Sequence, residues 1–274
     1  INPRWSVKNS QGGQVTNRIF GNAQLNYEVN DNLSLTYRYG LDWYNERNTA
    51  YSNKDGVNFT QAIFGYLDSY DNNVSVSTHF VSANGSYDLS DDVGLNFVIG
   101  ATSNNRSVNV SGVSSTGQIV FGVLQHFNFE NQTPISGESS QNTVGVFANA
   151  DIDYRDYLFV TLSARNDWVS NLPTENNSML YPSMSVAFLP TASNPDIKSD
   201  NLSYLKVRAG IGTSAGFPGG YPTVNTVSQA TNQNGGAIGG IITNSVSNFQ
   251  ANPDLKPELL GEFELGFDAR MFNN

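Results

Sequence analysis

The chain has 274 residues, of which 38% are hydrophobic, and its formal net charge is −10 with only 14 lysines and arginines. So few basic residues exclude a nucleic-acid-binding surface, because such surfaces neutralise phosphates with Lys and Arg. The absence of cysteine excludes disulfide bonds and thiolate metal sites, and the absence of any run of about 18 apolar residues excludes a transmembrane helix.

Nine segments alternate apolar and polar residues with a period of two, which predicts β-strands. In the clearest segment, every second residue from Leu33 to Trp43 is leucine, tyrosine or tryptophan, and the residues between them are mostly polar. The segments lie near Ile19–Val29, Leu33–Trp43, His79–Leu89, Val93–Thr102, Val146–Asp153, Leu158–Arg165, Leu180–Leu189, Leu205–Gly212 and Leu259–Met271.

Very short and long gaps alternate between these segments. Three pairs are joined by tight turns at Asn30–Asn32, Ser90–Asp92 and Arg155–Asp156. Between the pairs run longer, mostly polar stretches, which we predict to be extracellular loops at about 44–78, 104–142, 169–179 and 215–257. One gap, 190–203, is long although it falls on the side of the short turns. Tight turns on one side and long loops on the other are typical of outer-membrane β-barrels.

The length of the segments also favours a membrane barrel. Each has about ten residues, which is what a tilted strand needs to cross a bilayer. Tyrosine and tryptophan are frequent near the strand ends, for example Tyr27, Trp43, Tyr154 and Trp168, as at a membrane interface. We therefore predict an all-β, antiparallel, up-and-down transmembrane β-barrel in the outer membrane, of which this chain forms an arc of about nine or ten strands.

Two other interpretations remain open at this point. A soluble all-β carbohydrate-binding or adhesin domain would show the same alternation. A glycosidase on a β scaffold would need two carboxylates, and Asp151 with Asp153, or Glu262 with Glu264, share a strand face at a spacing of about 7 Å. Residues that line a barrel explain these acids equally well.

Several stretches resemble the SusC/RagA type of TonB-dependent outer-membrane transporter, which is found in Bacteroidetes. The most characteristic are ARNDWVSNLP at 164–173 and LYPSMSVAF at 180–188. NPRWSVKN at 2–9, LKVRAGIGTS at 205–214 and NPDLKPELLGEFELGFDARMF at 252–272 follow the family in the same order.

The resemblance implies a plugged barrel of 22 strands, the strand number of outer-membrane transporters. It also implies a SusD-like surface lipoprotein that closes the extracellular mouth, a glycan, oligosaccharide or peptide as substrate, and TonB as the energy-coupling partner. We find no plug domain and no TonB box here. The first residues also lack the basic and apolar regions of a signal peptide, so we expect the chain to be an internal part of such a barrel.

Charged residues on the polar face of the strands are the candidate site. They line the lumen, where they contact substrate or plug, or they only solvate the barrel interior. The candidates are Arg38, Asp42, Arg165, Lys206, Arg208, Glu262 and Glu264.

We predict no catalytic residue, no cofactor and no metal site. The two histidines, His79 and His126, lie beside loops or strand starts, and we expect them to be solvated.

Overall fold

A computed structural model describes residues 3–57, 60–220, 223–230, 243–246 and 250–272. Nearly all of the regular structure is β-strand. Among the described residues, no helix is long and apolar enough to cross a membrane. The elements are α1 Pro3–Asn9, β1 Ser10–Asn30, β2 Leu33–Ser52, α2 Thr60–Phe64, β3 Tyr66–Ser90, β4 Val93–Gln118, β5 Phe129–Tyr154, β6 Leu158–Val169, β7 Ser178–Phe188, α3 Pro190–Ser193, β8 Leu202–Gly216, β9 Val227–Ala230, β10 Thr243–Val246 and β11 Glu258–Met271, with short 3-10 turns at His126–Asn128 and Pro195–Ile197.

The strands form one antiparallel sheet of nine in the order β1-β2-β3-β4-β5-β6-β7-β8-β11, while β9 and β10 pair separately. Each strand of the large sheet therefore lies beside its neighbour in the chain, as the meander predicted from the gaps requires. Eight of the nine predicted segments fall within these strands, and the ninth, Leu180–Leu189, extends one residue beyond the end of β7.

Packing divides the chain into two units. Unit 1 comprises residues 1–23, 38–79 and 104–141, and unit 2 comprises residues 24–37, 80–103 and 142–274. The side chains buried in unit 1 include apolar Leu67, Val74 and Phe129. In unit 2, Val169 and Leu172 are buried, but large apolar side chains such as Phe263 and Phe267 are mostly exposed. Among the described residues of unit 2, these apolar side chains of the sheet are thus not covered as they would be in the core of a soluble domain.

The first strands are much longer than the sequence predicts. β3 has 25 residues, and β4 and β5 have 26 each, where about ten were expected. The predicted loops 44–78 and 104–142 are consequently too wide, because only residues 53–65 and 119–128 separate the strands there. The prediction failed because polar residues occupy both faces in these stretches, so that pairing continues where the alternation has ended.

The turn at Arg155 and Asp156 adopts a strained backbone. Both residues have positive φ, 50° and 55°, and the Tyr157 amide donates to the Tyr154 carbonyl at 3.2 Å. Two successive left-handed residues define a type I′ turn, whose twist matches that of the strands it joins. Arg155 Nη2 also donates to Asp92 Oδ2 of the adjacent turn at 2.7 Å, and this hydrogen bond lowers the pKa of Asp92.

Replacing Asp156 with glycine should stabilise the protein. Glycine accepts positive φ without the steric cost of about 1 kcal/mol that an L-residue bears, although part of the gain is offset by a more flexible unfolded chain. We expect Asp156→Gly to raise the urea midpoint of the full-length protein in detergent, measured by the heat-modifiable shift of the folded band on gels. Asp91→Gly is the matched control, because it removes the same charge from a turn residue without positive φ. Equal midpoints for the two variants would contradict the strain argument.

Candidate functional site

The strands of unit 2 separate two chemically different faces. In the β6–β7 pairing, Leu162 lies opposite Met184 and Ala164 opposite Pro182, whereas Ser163 lies opposite Ser183. In the β8–β11 pairing, Ile211 lies opposite Phe263. We call the face that carries Leu162, Ala164, Pro182, Met184, Ile211 and Phe263 the apolar face. The face that carries the alternate residues, such as Ser163 and Ser183, is the polar face. The apolar face comprises Leu158, Val160, Leu162, Ala164, Leu180, Pro182, Met184, Val186, Phe188, Leu205, Val207, Ala209, Ile211, Leu259, Phe263, Leu265 and Phe267; the polar face comprises Thr161, Ser163, Arg165, Asp167, Tyr181, Ser183, Ser185, Lys206, Arg208, Gly210, Gly212, Glu262, Glu264 and Asp268.

The apolar face exposes large apolar side chains to an extent that is unfavourable in water. Phe263, Leu265 and Phe267 of β11 are 64%, 67% and 74% exposed. Contiguous apolar surface of this kind marks contact with a membrane or a partner. From Leu158 to Trp168 the ten residue steps of β6 rise about 33 Å along the strand. With a strand tilt of about 40° this gives about 25 Å, the height of the lipid-facing band of an outer-membrane barrel.

Aromatic residues mark both ends of this band. Trp168 lies near one end of β6, and Tyr157 precedes its other end. The Tyr157 ring makes edge contacts with Tyr154 at 5.4 Å and with Phe188 at 6.1 Å. Tyrosine and tryptophan favour the interface of a bilayer because one end of the ring system is apolar and the other is polar.

On the polar face, Arg165 is the centre of a compact cluster. Its guanidinium donates to both carboxylate oxygens of Asp167, at 2.9 and 2.7 Å, and to Thr102 Oγ1 at 2.8 Å. Tyr181 donates its hydroxyl hydrogen to Asp167 Oδ2, and its oxygen accepts from Arg165 Nε at 3.0 Å. We call these four residues, together with Phe147, the Arg165 cluster. They come from four successive strands, β4, β5, β6 and β7, so the cluster holds this part of the sheet in one geometry.

The backbone and an aromatic ring complete the Arg165 cluster. Phe147 lies under the guanidinium at 5.7 Å, and its ring stacks on Phe80 at 5.8 Å. Gly145 lies opposite Asp167 in the register, and a Cβ there would overlap the Asp167 carboxylate and the Arg165 guanidinium. The Asp167 side chain is only 8% exposed. An ion pair this enclosed holds its geometry, because neither partner can return to water without cost.

Arg208 is held far more loosely. Its guanidinium nitrogens lie 3.6 Å from Glu264 and 3.7 Å from Asp268, and all three side chains are at least half exposed. In the register Lys206 lies opposite Asp268, and Glu262 lies opposite Gly212. Between these charges and Thr161 lies a polar-face groove of about 410 Å³, to which Ser185 and Gly210 contribute. Exposed ion pairs of this length are weak, so their members can exchange partners.

Among the remaining candidates, Asp42 of β2 has an ion-pair partner on the neighbouring strand. Arg18 Nη2 of β1 lies 2.6 Å from Asp42 Oδ2. Arg18 was missed because nothing in the sequence indicates which residue of β1 lies opposite Asp42.

The predicted solvation of His126 is wrong. Its Nε2 lies 2.5 Å from Ser69 Oγ and its Nδ1 lies 2.8 Å from Ser115 Oγ, which fixes the ring between two strands. No carboxylate hydrogen-bonds this histidine in the described part of the chain, so it has no triad geometry. The His79 ring contacts the Tyr39 ring in a tilted arrangement, with 5.0 Å between the ring centroids and 50° between the ring planes.

The aspartates considered for a glycosidase accept hydrogen bonds from neighbouring protein groups. Asp151 accepts from Thr161 Oγ1 at 2.6 Å and from Asn149 at 2.9 Å, and Asp153 accepts from the Asp156 amide at 3.0 Å. Within the described ranges, no three His, Cys, Asp or Glu residues are grouped so that they could hold a metal ion.

Sequence reasoning also missed Asn171, which lies within the ARNDWVSNLP stretch. Its side chain is 1% exposed and donates to the carbonyls of Pro218 and Gly220, at 2.5 and 2.9 Å. These bonds tie the β6–β7 loop to the segment that follows β8. The motif thus supplies a half-buried arginine, Arg165, and two buried polar residues, Asp167 and Asn171, all held by hydrogen bonds.

The chain matches the protein family described as TonB dependent receptor-like, beta-barrel, over residues 2–274. No curated protein matches it. Among solved structures it is similar to the RagAB peptide transporter, with a TM-score of 0.84 and 18% identity over 99% of this chain and 30% of that one. It is also similar to the RagAB peptide importer in the 'closed-closed' state, with a TM-score of 0.83 and 18% identity over 97% of this chain and 29% of that one.

A more distant similarity is to BauA, the ferric preacinetobactin receptor from Acinetobacter baumannii. Its TM-score is 0.52 and its identity 15%, over 93% of this chain and 35% of that one. The chain thus spans about a third or less of these relatives' length. At such identities the similarity concerns the fold.

Removing Asp167 should destabilise the fold. Asp167→Ala leaves the Arg165 guanidinium partly enclosed without its counter-ion, which we expect to lower the free energy of unfolding by about 2–3 kcal/mol. Tyr181→Phe removes one hydrogen bond and should cost about 1 kcal/mol. Urea unfolding of the full-length protein in detergent, followed by tryptophan fluorescence, measures both. Asp268→Ala removes an exposed, loosely paired carboxylate and serves as the control with no measurable change. Equal effects of Asp167→Ala and Asp268→Ala would contradict the clamping role.

Proposed function

Because this chain belongs to the TonB-dependent receptor-like β-barrel family, we propose that it forms part of the wall of an outer-membrane nutrient importer. The family assignment made from the motifs is confirmed by the match over residues 2–274, and the all-β antiparallel fold by the nine-stranded sheet. Proteins of this family are receptors and transporters, so the glycosidase and the soluble binding module are no longer needed to explain the chain.

The arrangement of the two faces supports this role most directly. We assign the apolar face to lipid and the polar face to the lumen, with the tight turns in the periplasm and the longer connections outside the cell. Since the chain spans about 30% of the RagAB chain that it resembles, we propose that its nine strands are part of a 22-stranded barrel that also contains a plug. The exposed apolar side chains of β11 support the assignment of the apolar face to lipid.

We propose that the cargo is a peptide or, alternatively, a glycan or oligosaccharide. The similar structures carry the names peptide transporter and peptide importer, which favours peptides. One of them was described in a closed-closed and another in an open-open state. We infer that a SusD-like surface lipoprotein closes the extracellular mouth, as the sequence resemblance implies, and that TonB supplies the energy by acting on the plug.

The charged residues divide into two roles in this proposal. Arg165 is held through Nε and Nη2 by Asp167, Tyr181 and Thr102, so we assign it to positioning the wall. Lys206, Arg208, Glu262 and Glu264 line the conduit, where weak and exposed pairing leaves them able to contact a plug or a passing substrate. Arg38 and Asp42 line the lumen wall on β2.

Deletion of the gene in the native host, followed by complementation, tests the function. We expect the deletion strain to lose uptake of fluorescently labelled peptides and to recover it with the wild-type gene, while uptake of labelled oligosaccharides is unchanged. The opposite pattern would transfer the proposal to glycans. Unchanged uptake of both classes, or recovery of the protein in the soluble fraction, would refute the importer.

The matched variants Arg208→Glu and Lys198→Glu test the conduit. Both reverse one exposed positive charge, but Lys198 lies in the β7–β8 connection, away from the polar face. Because charge reversal at Arg208 places three acidic groups together, we expect uptake to fall several-fold with an unchanged amount of protein in the outer membrane. Lys198→Glu should transport normally. A normal rate for Arg208→Glu would remove Arg208 from the conduit.

A further inference from the structure

Strand β5 continues far beyond the strand that pairs with its second edge. β5 has 26 residues, but β6 has 12, and all of these pair with Thr143–Tyr154 of β5. The outer half of β5, Phe129–Asn142, is therefore bordered by β4 on one side, while no strand in the described part of the chain pairs with it on the other side. This half of an interior strand is thus an edge of the sheet.

The backbone groups that face the open side can be identified from Asn142. Its amide donates to Ser170 Oγ at 2.9 Å, and its carbonyl accepts from the Ser170 amide at 2.9 Å, so both groups point toward the end of β6. Alternate residues of a strand direct their N–H and C=O groups to the same side. Ser136 and Glu138 therefore direct theirs to the open side, where each can exchange two hydrogen bonds with a further antiparallel strand.

Pro134 fits this assignment of sides. It is separated from Asn142 by an even number of residue steps, so the N–H group that proline lacks would have faced the open side, where no β-strand bond is lost. A long partner strand would meet no donor at Pro134, whereas a short one can pair along Ile135–Gln141. This stretch rises about 20 Å, the length of an extended peptide of about six residues. We call its side away from β4 the open edge.

The open edge lacks the usual protection of an exposed strand. Natural proteins commonly block such edges with lysine or proline, but Ile135–Gln141 contains no lysine, arginine or proline. Most of its side chains are small, and those of Ser136 and Glu138 are exposed. Among the described residues, a Cβ at Gly137 would meet only Val110 Cβ of β4, at 3.9 Å. Another main chain can therefore approach this edge closely.

The open edge lies in water in the proposed importer. β6 has 12 residues, and about 9–11 suffice to cross a bilayer. We therefore place the part of β5 beyond β6 outside the membrane, on the side of the longer connections. A backbone edge is tolerated there because water satisfies its hydrogen bonds, which lipid could not do. An occupant from the extracellular side has only to displace this water.

We propose that the open edge binds a short, extended peptide as an additional strand and is an early contact site for the cargo. A sheet edge recognises the main chain itself, so it pairs with peptides of many sequences, whereas an oligosaccharide has no such backbone. The charged residues of the outer half are Glu130 and Glu138, and Glu138 favours a basic side chain opposite it. This inference rests on the proposed function and narrows its cargo to peptides.

Photo-crosslinking of a peptide to the full-length protein in detergent tests the site. The probe is a valine- and threonine-rich peptide of about six residues with one lysine and a diazirine group. We expect the crosslinks, mapped by mass spectrometry, to lie in 135–141. Ser136→Pro removes one donor of the open edge and should weaken binding about fivefold, whereas Ser136→Ala keeps the amide and should bind as the wild type does. Crosslinks only outside 135–141, or equal affinities of the two variants, would overturn the inference.

A charge reversal tests the same site without altering the backbone. Glu138→Lys should weaken binding of the lysine-containing probe about threefold, because it replaces an attraction by a repulsion at an exposed position. Glu130→Lys makes the same change on the other side of Pro134 and should leave binding unchanged. Equal effects of the two reversals would contradict pairing along Ile135–Gln141.

The state of the open edge without cargo distinguishes a peptide from other occupants. With p-benzoylphenylalanine at position 138 and no peptide added, we expect crosslinks only to neighbouring residues of β4 and β5. A crosslink to a second copy, or to a distant segment of the same polypeptide, would mean that the edge is already occupied, and would overturn the inference.

The edge site and the proposed function fail differently. If uptake of labelled peptides depends on this protein and the probe does not contact 135–141, only the edge site is wrong. If the wild type neither binds the probe nor takes up labelled peptides, the peptide importer is wrong, and the edge site is wrong with it.

Discussion

The structure depends on one constraint, which is that a backbone in lipid must satisfy its hydrogen bonds within the protein. Continuous antiparallel pairing from β1 to β11 meets this requirement. Alternate side chains of each strand then point to opposite sides of the sheet, where the surrounding medium differs. In β6 the even positions from Leu158 to Ala164 are apolar, and the odd positions from Thr161 to Asp167 are polar. The lipid-facing and lumen-facing surfaces of the proposed importer are consequences of this pairing.

The same constraint explains how much of the fold could be predicted. Where we assign one face to lipid, as between Leu33 and Trp43, alternation is strict, and both the strand and its exposed face could be predicted. In the parts that we place beyond the membrane, polar residues occur on both faces and the signal disappears, as at Asn72 and Asn73, although β3 continues through them. The alternation of apolar and polar residues therefore indicates where the two faces of a strand meet different media. Strand pairing continues beyond that point, where both faces meet the same medium.

Prediction of the site was limited by contacts between distant residues. Arg165 was identified as a polar-face residue, but Thr102, its partner from β4, is 63 positions away in the chain. Asp167 and Tyr181 lie within the two most characteristic motifs, and their role emerges only from the β6–β7 register. His126 was misjudged for the same reason, since Ser69 and Ser115 reach it from two strands. The molecule thus combines polar groups held by several hydrogen bonds, at Arg165 and at His126, with loosely paired charges around Arg208.

The most direct test of the account measures the environment of consecutive positions in two paired strands, β6 and β7. This chain has no cysteine, so single cysteines at positions 162, 163, 183 and 184 can be introduced into the full-length protein in lipid vesicles, after replacement of any cysteine elsewhere. The account predicts that Ser163→Cys and Ser183→Cys react with a small water-soluble thiol reagent. Leu162→Cys and Met184→Cys should be protected, and a fluorophore attached there in detergent should be quenched by brominated lipid after reconstitution. Equal reactivity at all four positions, with no quenching by lipid, would contradict a membrane-spanning sheet.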